Sequence, residues 1–294
     1  MFRDRDLLVR ALGTFLPARF GHRFGDALTP RLGGARDRHV AAVAGAAAAG
    51  LLADAAAGEQ VERRFVAALA ADDLDACRAW ANVGPPCGAA LVEGERFLPP
   101  PGPAVFVSFH LSGGLAVFEV LRRRGFAPTF LRAPAPPGAT RYARAIGAAR
   151  LRYLGRVLER PWILTGAGAR GALEQHLAGG GSVVALIDVP AQAVELRDRA
   201  SGTLFGRPLS LPCGLLRLAL AQQLPVVPFD GRIEHGRRIV RFHPPATGPD
   251  VATLLAAVLR TLEGVVRERP WDWHAWLELD YLLSDPGSEH AAAD

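Results

Sequence analysis

The chain has 294 residues, of which 50% are hydrophobic, a composition that excludes a disordered protein and predicts a substantial core. The 34 basic residues are all arginine, and against 29 acidic residues they leave a net charge of +5. The absence of lysine excludes Schiff-base and P-loop lysine chemistry. The positive charge suits an anionic membrane surface, an acidic protein or a phosphate group, and does not distinguish among them.

The first hundred residues are predicted to be mainly helical. Residues 2–24 place apolar side chains at helical spacing between arginines, a pattern typical either of an interfacial membrane helix or of a helix packed on its own domain. An alanine-rich run follows at 40–57, and residues 51–81 have larger apolar side chains at helical intervals. Because alanine is only weakly hydrophobic, the run favours a helix of a globular domain over a membrane span. We expect residues 1–97 to form a helical section.

Helical periodicity ends at a proline-rich turn, residues 98–103, and short apolar runs typical of buried strands begin after it. The strand-like runs cover residues 104–109, 182–187, 225–229 and 238–242. The helical segments between and after them cover residues 115–124, 171–177, 211–223 and 251–267. This alternation predicts an α/β fold with a mixed, largely parallel sheet flanked by helices. We expect residues 98–294 to form this α/β domain, continuous with the helical section.

The first predicted strand ends in a turn that contains His110, and Ser112, Gly113 and Gly114 follow it. An imidazole at a strand-to-helix turn is well placed to act as a general base, although a structural role is the alternative. Backbone N–H groups at the start of a helix stabilise negative charge, and glycines let a substrate approach the backbone. We therefore interpret His110 as a candidate catalytic residue. Ser112, Gly113 and Gly114 are candidate substrate-binding residues, and we expect backbone N–H groups near them to stabilise an oxyanion.

Six segments, taken in chain order, carry a resemblance to a known family. They are residues 16–21, 107–111, 179–188, 204–208, 211–228 and 269–274. Together they resemble the lipid A biosynthesis lauroyl/myristoyl acyltransferases, members of the lysophospholipid acyltransferase-like superfamily. The resemblance implies transfer of a fatty acyl group from an acyl carrier protein (ACP) or coenzyme A (CoA) thioester to a hydroxyl of a lipid, glycolipid or related acceptor. It also implies that His110 is the general base, and that the reaction needs no metal or cofactor.

The sequence departs from the family pattern beside the candidate base. In that family the histidine is followed, after four residues, by Asp or Glu, whereas the fifth residue after His110 is Leu115. A carboxylate beside the imidazole would fix its tautomer and stabilise its charged form. Two acids are candidates for this role: Glu119, one turn farther along the predicted helix, and Asp188, at the end of a predicted strand. Each acid has an equally suitable alternative role. Glu119 could form a salt bridge on its own helix, and Asp188 could cap the turn that follows its strand.

Several arginines are candidates for binding anionic groups. Arg197 and Arg207 precede a predicted helix, and their guanidinium groups could hold phosphate or carboxylate. The basic run at residues 122–124 is a candidate contact for an acidic carrier protein, although a solvated helix end is the alternative.

The cysteine and hydropathy patterns bear on location. The three cysteines cannot all pair with one another and show no metal-ligand spacing, which is typical of reduced thiols in a cytoplasmic protein. No stretch reaches the roughly 18 to 20 uninterrupted apolar residues of a membrane span, and we predict no signal peptide. Taken with the resemblance, this predicts a peripheral protein on the cytoplasmic face of the bacterial inner membrane. Its expected partners are an ACP or CoA thioester, a lipid acceptor and the membrane surface; no pattern of aromatic and basic residues indicates nucleic acid.

The missing acid leaves other functions open. One alternative is a non-catalytic acyl- or lipid-binding homologue that has kept the fold, and another is an acyltransferase whose acceptor is a secondary metabolite such as a pigment. A hydrolase that uses Ser112, Asp188 and either His243 or His274 is a further alternative, although the Gly-x-Ser-x-Gly elbow of such enzymes is missing.

Overall fold

A computed structural model describes residues 35–52, 55–81, 90–134, 141–189, 198–234 and 237–283. Its helices are α1 (Ala35–Leu52), α2 (Ala55–Ala81), α3 (Ala116–Arg123), α4 (Arg141–Val157), α5 (Ala169–Ala178), α6 (Gly214–Ala221), α7 (Val251–Glu268) and α8 (Leu279–Leu283). Its strands are β1 (Leu91–Glu93), β2 (Val105–Ser108), β3 (Pro128–Arg132), β4 (Trp162–Leu164), β5 (Ser182–Leu186), β6 (Arg199–Leu204), β7 (Arg207–Pro212), β8 (Val226–Glu234) and β9 (Arg237–Phe242). Short 3-10 helices cover Glu95–Phe97, Pro270–Asp272 and His274–Glu278.

Seven strands form one sheet in the order β1-β9-β8-β2-β5-β3-β4. All neighbouring strands in it are parallel except β8 and β9, which are antiparallel. The predicted α/β fold with a mixed, largely parallel sheet is therefore confirmed. The central strand is β2, which pairs with β8 on one side and β5 on the other. Strands β6 and β7 form a separate antiparallel pair.

Some strands differ from the sequence-based expectation. Strand β1 lies in the section predicted to be helical and pairs with β9, so the sheet begins before the expected boundary at residue 97. Strands β3 and β4 have five and three residues, too few for a clear periodic pattern. The start of the predicted helix 211–223 instead belongs to β7, because Leu211 and Pro212 pair with β6. Helix α4 was not predicted, although its buried Ile146 and Tyr153 have helical spacing.

The two faces of the central sheet have separate cores, since side chains alternate between faces along β2. On one face, Phe106 packs with Phe118 of α3 and with residues of α4. On the other, Val107 packs with Leu255 of α7 and with Trp273 from the segment after α7. The five residues named here are each at most 2% exposed. The second core therefore holds the segment after α7 against the carboxyl end of the central strand.

The hairpin of α1 and α2 belongs to this second core. Ala44 of α1 and Phe65 of α2 are fully buried and cluster with Trp273. The two helices approach each other at Gly45 and Gly58, where a Cβ added to either glycine would lie 2.7 to 2.9 Å from the other glycine's carbonyl oxygen. The small residues of this region thus permit a close helix pair, which places α2 beside the site described below.

The predicted amphipathic segment at residues 2–24 lies outside the described residues. Among the helices that the structure does describe, none is long and apolar enough to cross a membrane.

Candidate active site

His110 lies just after β2, and Asp188 lies two residues after β5 on the neighbouring strand. The Nδ1 atom of His110 is 2.8 Å from Oδ1 of Asp188, and the His110 backbone N–H donates to both carboxylate oxygens, at 2.9 and 3.0 Å. Strands β2 and β5 are parallel neighbours in the sheet, so the ends of both strands bring these two side chains together. Parallel strands end at the same edge of a sheet, so residues 78 positions apart meet there.

The carboxylate of Asp188 is held from a second side. The indole Nε1–H of Trp273 donates to its Oδ2 at 2.9 Å, and the Trp273 ring stacks on Phe109 with 5.8 Å between ring centroids. Asp188 is only 2% exposed, whereas the His110 imidazole is 45% exposed. A buried, fully bonded carboxylate therefore supports an imidazole whose outer edge is accessible.

The protonation of His110 follows from this pairing. Desolvation by burial opposes the charged imidazole, but the charge of Asp188 and its hydrogen bond outweigh that effect and raise the pKa of His110 above its ordinary value. With Nδ1–H donated to Asp188, the lone pair of the neutral ring is on Nε2. No hydrogen-bond partner of Nε2 is present among the described residues, so this nitrogen is available to a ligand.

The segment after α7 pairs with the turn that carries the histidine. Leu111 and Trp273 form an antiparallel bridge, the Ser112 N–H donates to the Asp272 carbonyl at 3.1 Å, and the His274 N–H donates to the His110 carbonyl at 2.9 Å. The Ser112 hydroxyl also lies 3.1 Å from Nε2 of His274. Two histidines and a serine therefore share one small region.

The glycine turn is fixed by two other parts of the chain. Gly113 has a φ of +72°, a conformation that favours glycine, and its N–H donates to Oδ1 of Asp72 in α2 at 3.0 Å. Its backbone packs on Gly231 of β8, where an added Cβ would lie 2.8 Å from the Gly113 carbonyl carbon and oxygen. The turn therefore has little freedom to move.

This geometry corrects the predicted oxyanion role of the turn. The sequence predicts that backbone N–H groups near Ser112 to Gly114 stabilise the oxyanion, which requires N–H groups without another acceptor. The N–H groups of Ser112 and Gly113 already donate to Asp272 and Asp72, because the segment after α7 and helix α2 both pack on the turn. Among the described residues, only the N–H of Gly114 in this set lacks an acceptor.

Sequence reasoning missed two charged residues beside the site. Asp72 of α2 is buried, and its Oδ2 is 2.5 Å from Nη2 of Arg150 in α4. The positive charge of Arg150 acts to lower the pKa values of both His110 and His274. No local pattern marks either residue as part of a site, since the pair is separated by 78 positions.

Glu119 is not brought to the imidazole. Its carboxylate forms an ion pair with Arg123, four residues later on the surface of α3. The expectation that it could replace the missing acid is therefore not met in this structure, in which Asp188 occupies that position. The reason is geometric, because Glu119 lies a full turn along the helix while Asp188 starts from the adjacent strand end.

The structure places some of the arginines that the sequence marked as candidates for binding anionic groups. Arg207 is exposed at the start of β7, outside the main sheet, and Arg197 lies outside the described residues. The basic run at residues 122–124 ends α3 close to Ala127, whose carbonyl accepts the N–H of Ser182 at the start of β5. This run therefore lies at the amino edge of the sheet, opposite the histidine.

The hydrolase alternative is only partly assembled. Ser112 does contact His274, but Asp188 bonds His110 instead of His274. His243 belongs to a different cluster, in which its Nε2 is 2.8 Å from Oδ2 of the buried Asp230. The serine–histidine–aspartate arrangement that a hydrolase requires is therefore not formed by these residues.

Comparison with models of known protein families finds no match, and comparison with curated proteins finds none either. The motifs in the sequence and the geometry of the site are therefore the basis for a functional assignment. Within the described part of the chain, no group of three or more His, Cys, Asp and Glu side chains is arranged to hold a metal ion.

Proposed function

We propose that the protein is an acyltransferase that moves a fatty acyl group from an acyl-ACP or acyl-CoA thioester to a hydroxyl of a lipid, glycolipid or related acceptor. The observation that carries this proposal is the His110–Asp188 pair at the carboxyl edge of the sheet. A buried carboxylate holds one imidazole nitrogen, and the other nitrogen is accessible. This is the arrangement that a general base requires.

In the proposed reaction, Nε2 of His110 takes the proton of the acceptor hydroxyl while its oxygen attacks the thioester carbon. The carbonyl becomes a tetrahedral oxyanion, and its collapse breaks the C–S bond. The leaving thiolate then takes the proton from the imidazolium, so His110 returns to its neutral form. Asp188 stabilises the imidazolium between these two proton transfers and keeps Nδ1 protonated.

Asp188 provides the carboxylate partner for His110 that the family pattern places five residues after the histidine, where this chain has Leu115. Leu115 cannot bond an imidazole, but a carboxylate from the neighbouring strand can perform the same two tasks. The resemblance described above therefore remains compatible with catalysis in this chain. It also supports the further proposals of a peripheral location on the cytoplasmic face of the inner membrane, reached by a basic amphipathic segment, and of an ACP or CoA thioester as the donor.

The direct test uses a panel of acyl-CoA and acyl-ACP thioesters with a bacterial lipid extract as acceptor, and follows both thiol release and labelled lipid. We expect His110→Ala to lower the rate about 10²- to 10⁴-fold, because that is the usual contribution of a general base. Asp188→Asn should lower it comparably, whereas the matched variant Glu119→Gln should retain nearly full activity. Circular dichroism would establish that each variant is folded.

Full activity of His110→Ala would refute the proposal. Binding of acyl thioesters by the wild-type protein without turnover would favour the non-catalytic homologue. If turnover needs an added pigment or other secondary metabolite, the acceptor class would change while the mechanism stays the same. Lipid mass spectrometry of cells with and without the protein would identify the acceptor.

A further inference from the structure

His274 is bonded at one ring nitrogen and open at the other. Its Nε2 lies 3.1 Å from the Ser112 hydroxyl, and its Nδ1 has no hydrogen-bond partner among the described residues. The residue is partly exposed, while Ser112 is 1% exposed. The backbone bond from His274 to His110 places the two histidines opposite each other on paired segments. The open nitrogen of His274 therefore belongs to the region where a substrate of His110 would react.

The serine determines which nitrogen of His274 carries the proton. If Nε2 carried it, the Ser112 oxygen would accept, and the serine's own hydrogen would be buried without an acceptor among the described residues. A buried unsatisfied donor costs about 1–3 kcal/mol. If Ser112 instead donates to Nε2, the buried hydroxyl hydrogen has an acceptor and the proton of the neutral ring is on Nδ1, the open nitrogen. The hydrogen bond therefore favours the Nδ1–H tautomer.

The ring is also held in its neutral form. Burial lowers the pKa of His274 to about 4, and the charges of Arg150 and His110 act in the same direction, against the opposing effect of Asp72. Near neutral pH the ring thus has one N–H, fixed on the open side. A neutral imidazole can act as an electrophile, donating a hydrogen bond to a carbonyl without losing its proton.

The site needs such a donor. Of the three backbone N–H groups expected to receive the oxyanion, those of Ser112 and Gly113 already have acceptors, and only that of Gly114 does not. Tetrahedral intermediates of acyl transfer are usually stabilised by more than one donor.

We propose that His274 is a second catalytic residue, whose Nδ1–H donates to the thioester carbonyl oxygen as that oxygen gains negative charge. This inference rests on the proposed function. As the acceptor oxygen bonds to the carbonyl carbon, the carbonyl π electrons move to the oxygen that faces His274. When the C–S bond breaks, those electrons re-form the C=O bond. His274 keeps its proton throughout, and His110 performs both proton transfers.

Two substitutions separate this role from a structural one. In His274→Asn the side-chain amide would lie near the original Nδ1 and keep a donor there, while in His274→Gln it would lie near the original Nε2 and leave Nδ1 without a replacement. We expect His274→Gln to lower kcat about 10²- to 10³-fold, the usual effect of losing one oxyanion donor. His274→Asn should lose about tenfold or less. The pH at which His110 titrates in the kcat profile should stay the same in both variants.

Equal losses in the two variants would overturn the inference, because a purely structural role does not distinguish the two nitrogens. Unchanged kcat in His274→Gln would also overturn it, while leaving His110 and the proposed function intact.

A measurement on the free protein tests the inference without turnover. Proton–nitrogen correlation NMR of isotope-labelled protein reports the tautomer of each histidine. We expect the Nδ1–H form for His274 in the wild type and loss of that preference in Ser112→Ala. Adding lauroyl-CoA should shift the His274 Nδ1–H signal, whereas dodecyl-CoA thioether, which lacks the carbonyl oxygen, should not. An Nε2–H tautomer in the wild type, or equal shifts with both probes, would overturn the inference whether or not acyl transfer is observed.

Discussion

The substitution Asp188→Asn tests the most constrained group of the site. The carboxylate of Asp188 accepts from the His110 backbone, the His110 ring and the Trp273 indole, at 2.8 to 3.0 Å. Asparagine has one acceptor oxygen in place of two, and its NH₂ group would face N–H donors. We expect the loss of one charge-assisted bond, about 1.5–3 kcal/mol, and one unsatisfied buried donor, about 1–3 kcal/mol. The free energy of unfolding should therefore fall by about 2.5 to 6 kcal/mol.

The loss should also depend on pH. The pKa of His110 is raised in the folded protein, so its charged pair with Asp188 contributes fully below the ordinary histidine value of about 6.5. That contribution disappears as the pH rises through the folded pKa. The difference in stability between wild type and Asp188→Asn should thus be larger near pH 6 than near pH 9. Urea unfolding followed by tryptophan fluorescence measures it at both values.

A matched control is Asp198→Asn. Asp198 is likewise an acid with a basic partner, Arg217 at 2.6 Å, but these two side chains are about half exposed, at 45% and 53%. Exposed pairs contribute about 1 kcal/mol or less. A loss in Asp188→Asn no larger than in this control would refute the description of Asp188 as a buried carboxylate with three donors. An equal loss at both pH values would refute the charged pair with His110.

Sequence patterns located His110 and Asp188, the candidate catalytic pair, because both residues follow strands. The apolar run before His110 and the one before Asp188 are the kind that form neighbouring parallel strands, whose ends meet at one edge. That rule predicts their approach although the two residues are 78 positions apart in the sequence. The rule does not predict whether Asp188 or Glu119 bonds the imidazole, because that depends on the distance from each backbone position to the ring.

No pattern in the sequence predicts the contacts that hold the site in place. Asp72 reaches Gly113 from the middle of a helix, and Trp273 reaches Asp188 from a segment 85 positions away. Both contacts arise from packing of one element on another, which neither periodicity nor turn chemistry encodes. The expected oxyanion donors were wrong in part for the same reason, because local geometry leaves the N–H of Gly113 free and only the tertiary structure supplies its acceptor.

Two further predictions concern residues that surround the site. Gly231→Ala should lower the free energy of unfolding by about 1–3 kcal/mol and disturb the turn, because its Cβ would lie 2.8 Å from backbone atoms of Gly113. The control Gly264→Ala, at an open position of α7, should raise the free energy of unfolding by about 0.5–1 kcal/mol. Equal urea midpoints for the two variants would contradict this prediction. Burial raises the pKa of Asp272 from 3.8 to about 7, against the opposing charge of Arg269. Between these values the unfolded chain holds fewer protons than the folded protein, so this group lowers stability as the pH rises. Asp272→Asn does not titrate, and it should therefore gain stability relative to wild type from about pH 4 to pH 7, by up to about 4 kcal/mol. A difference in unfolding free energy that stays constant over this range would show that Asp272 is already ionised in the fold, with Arg269 compensating its burial.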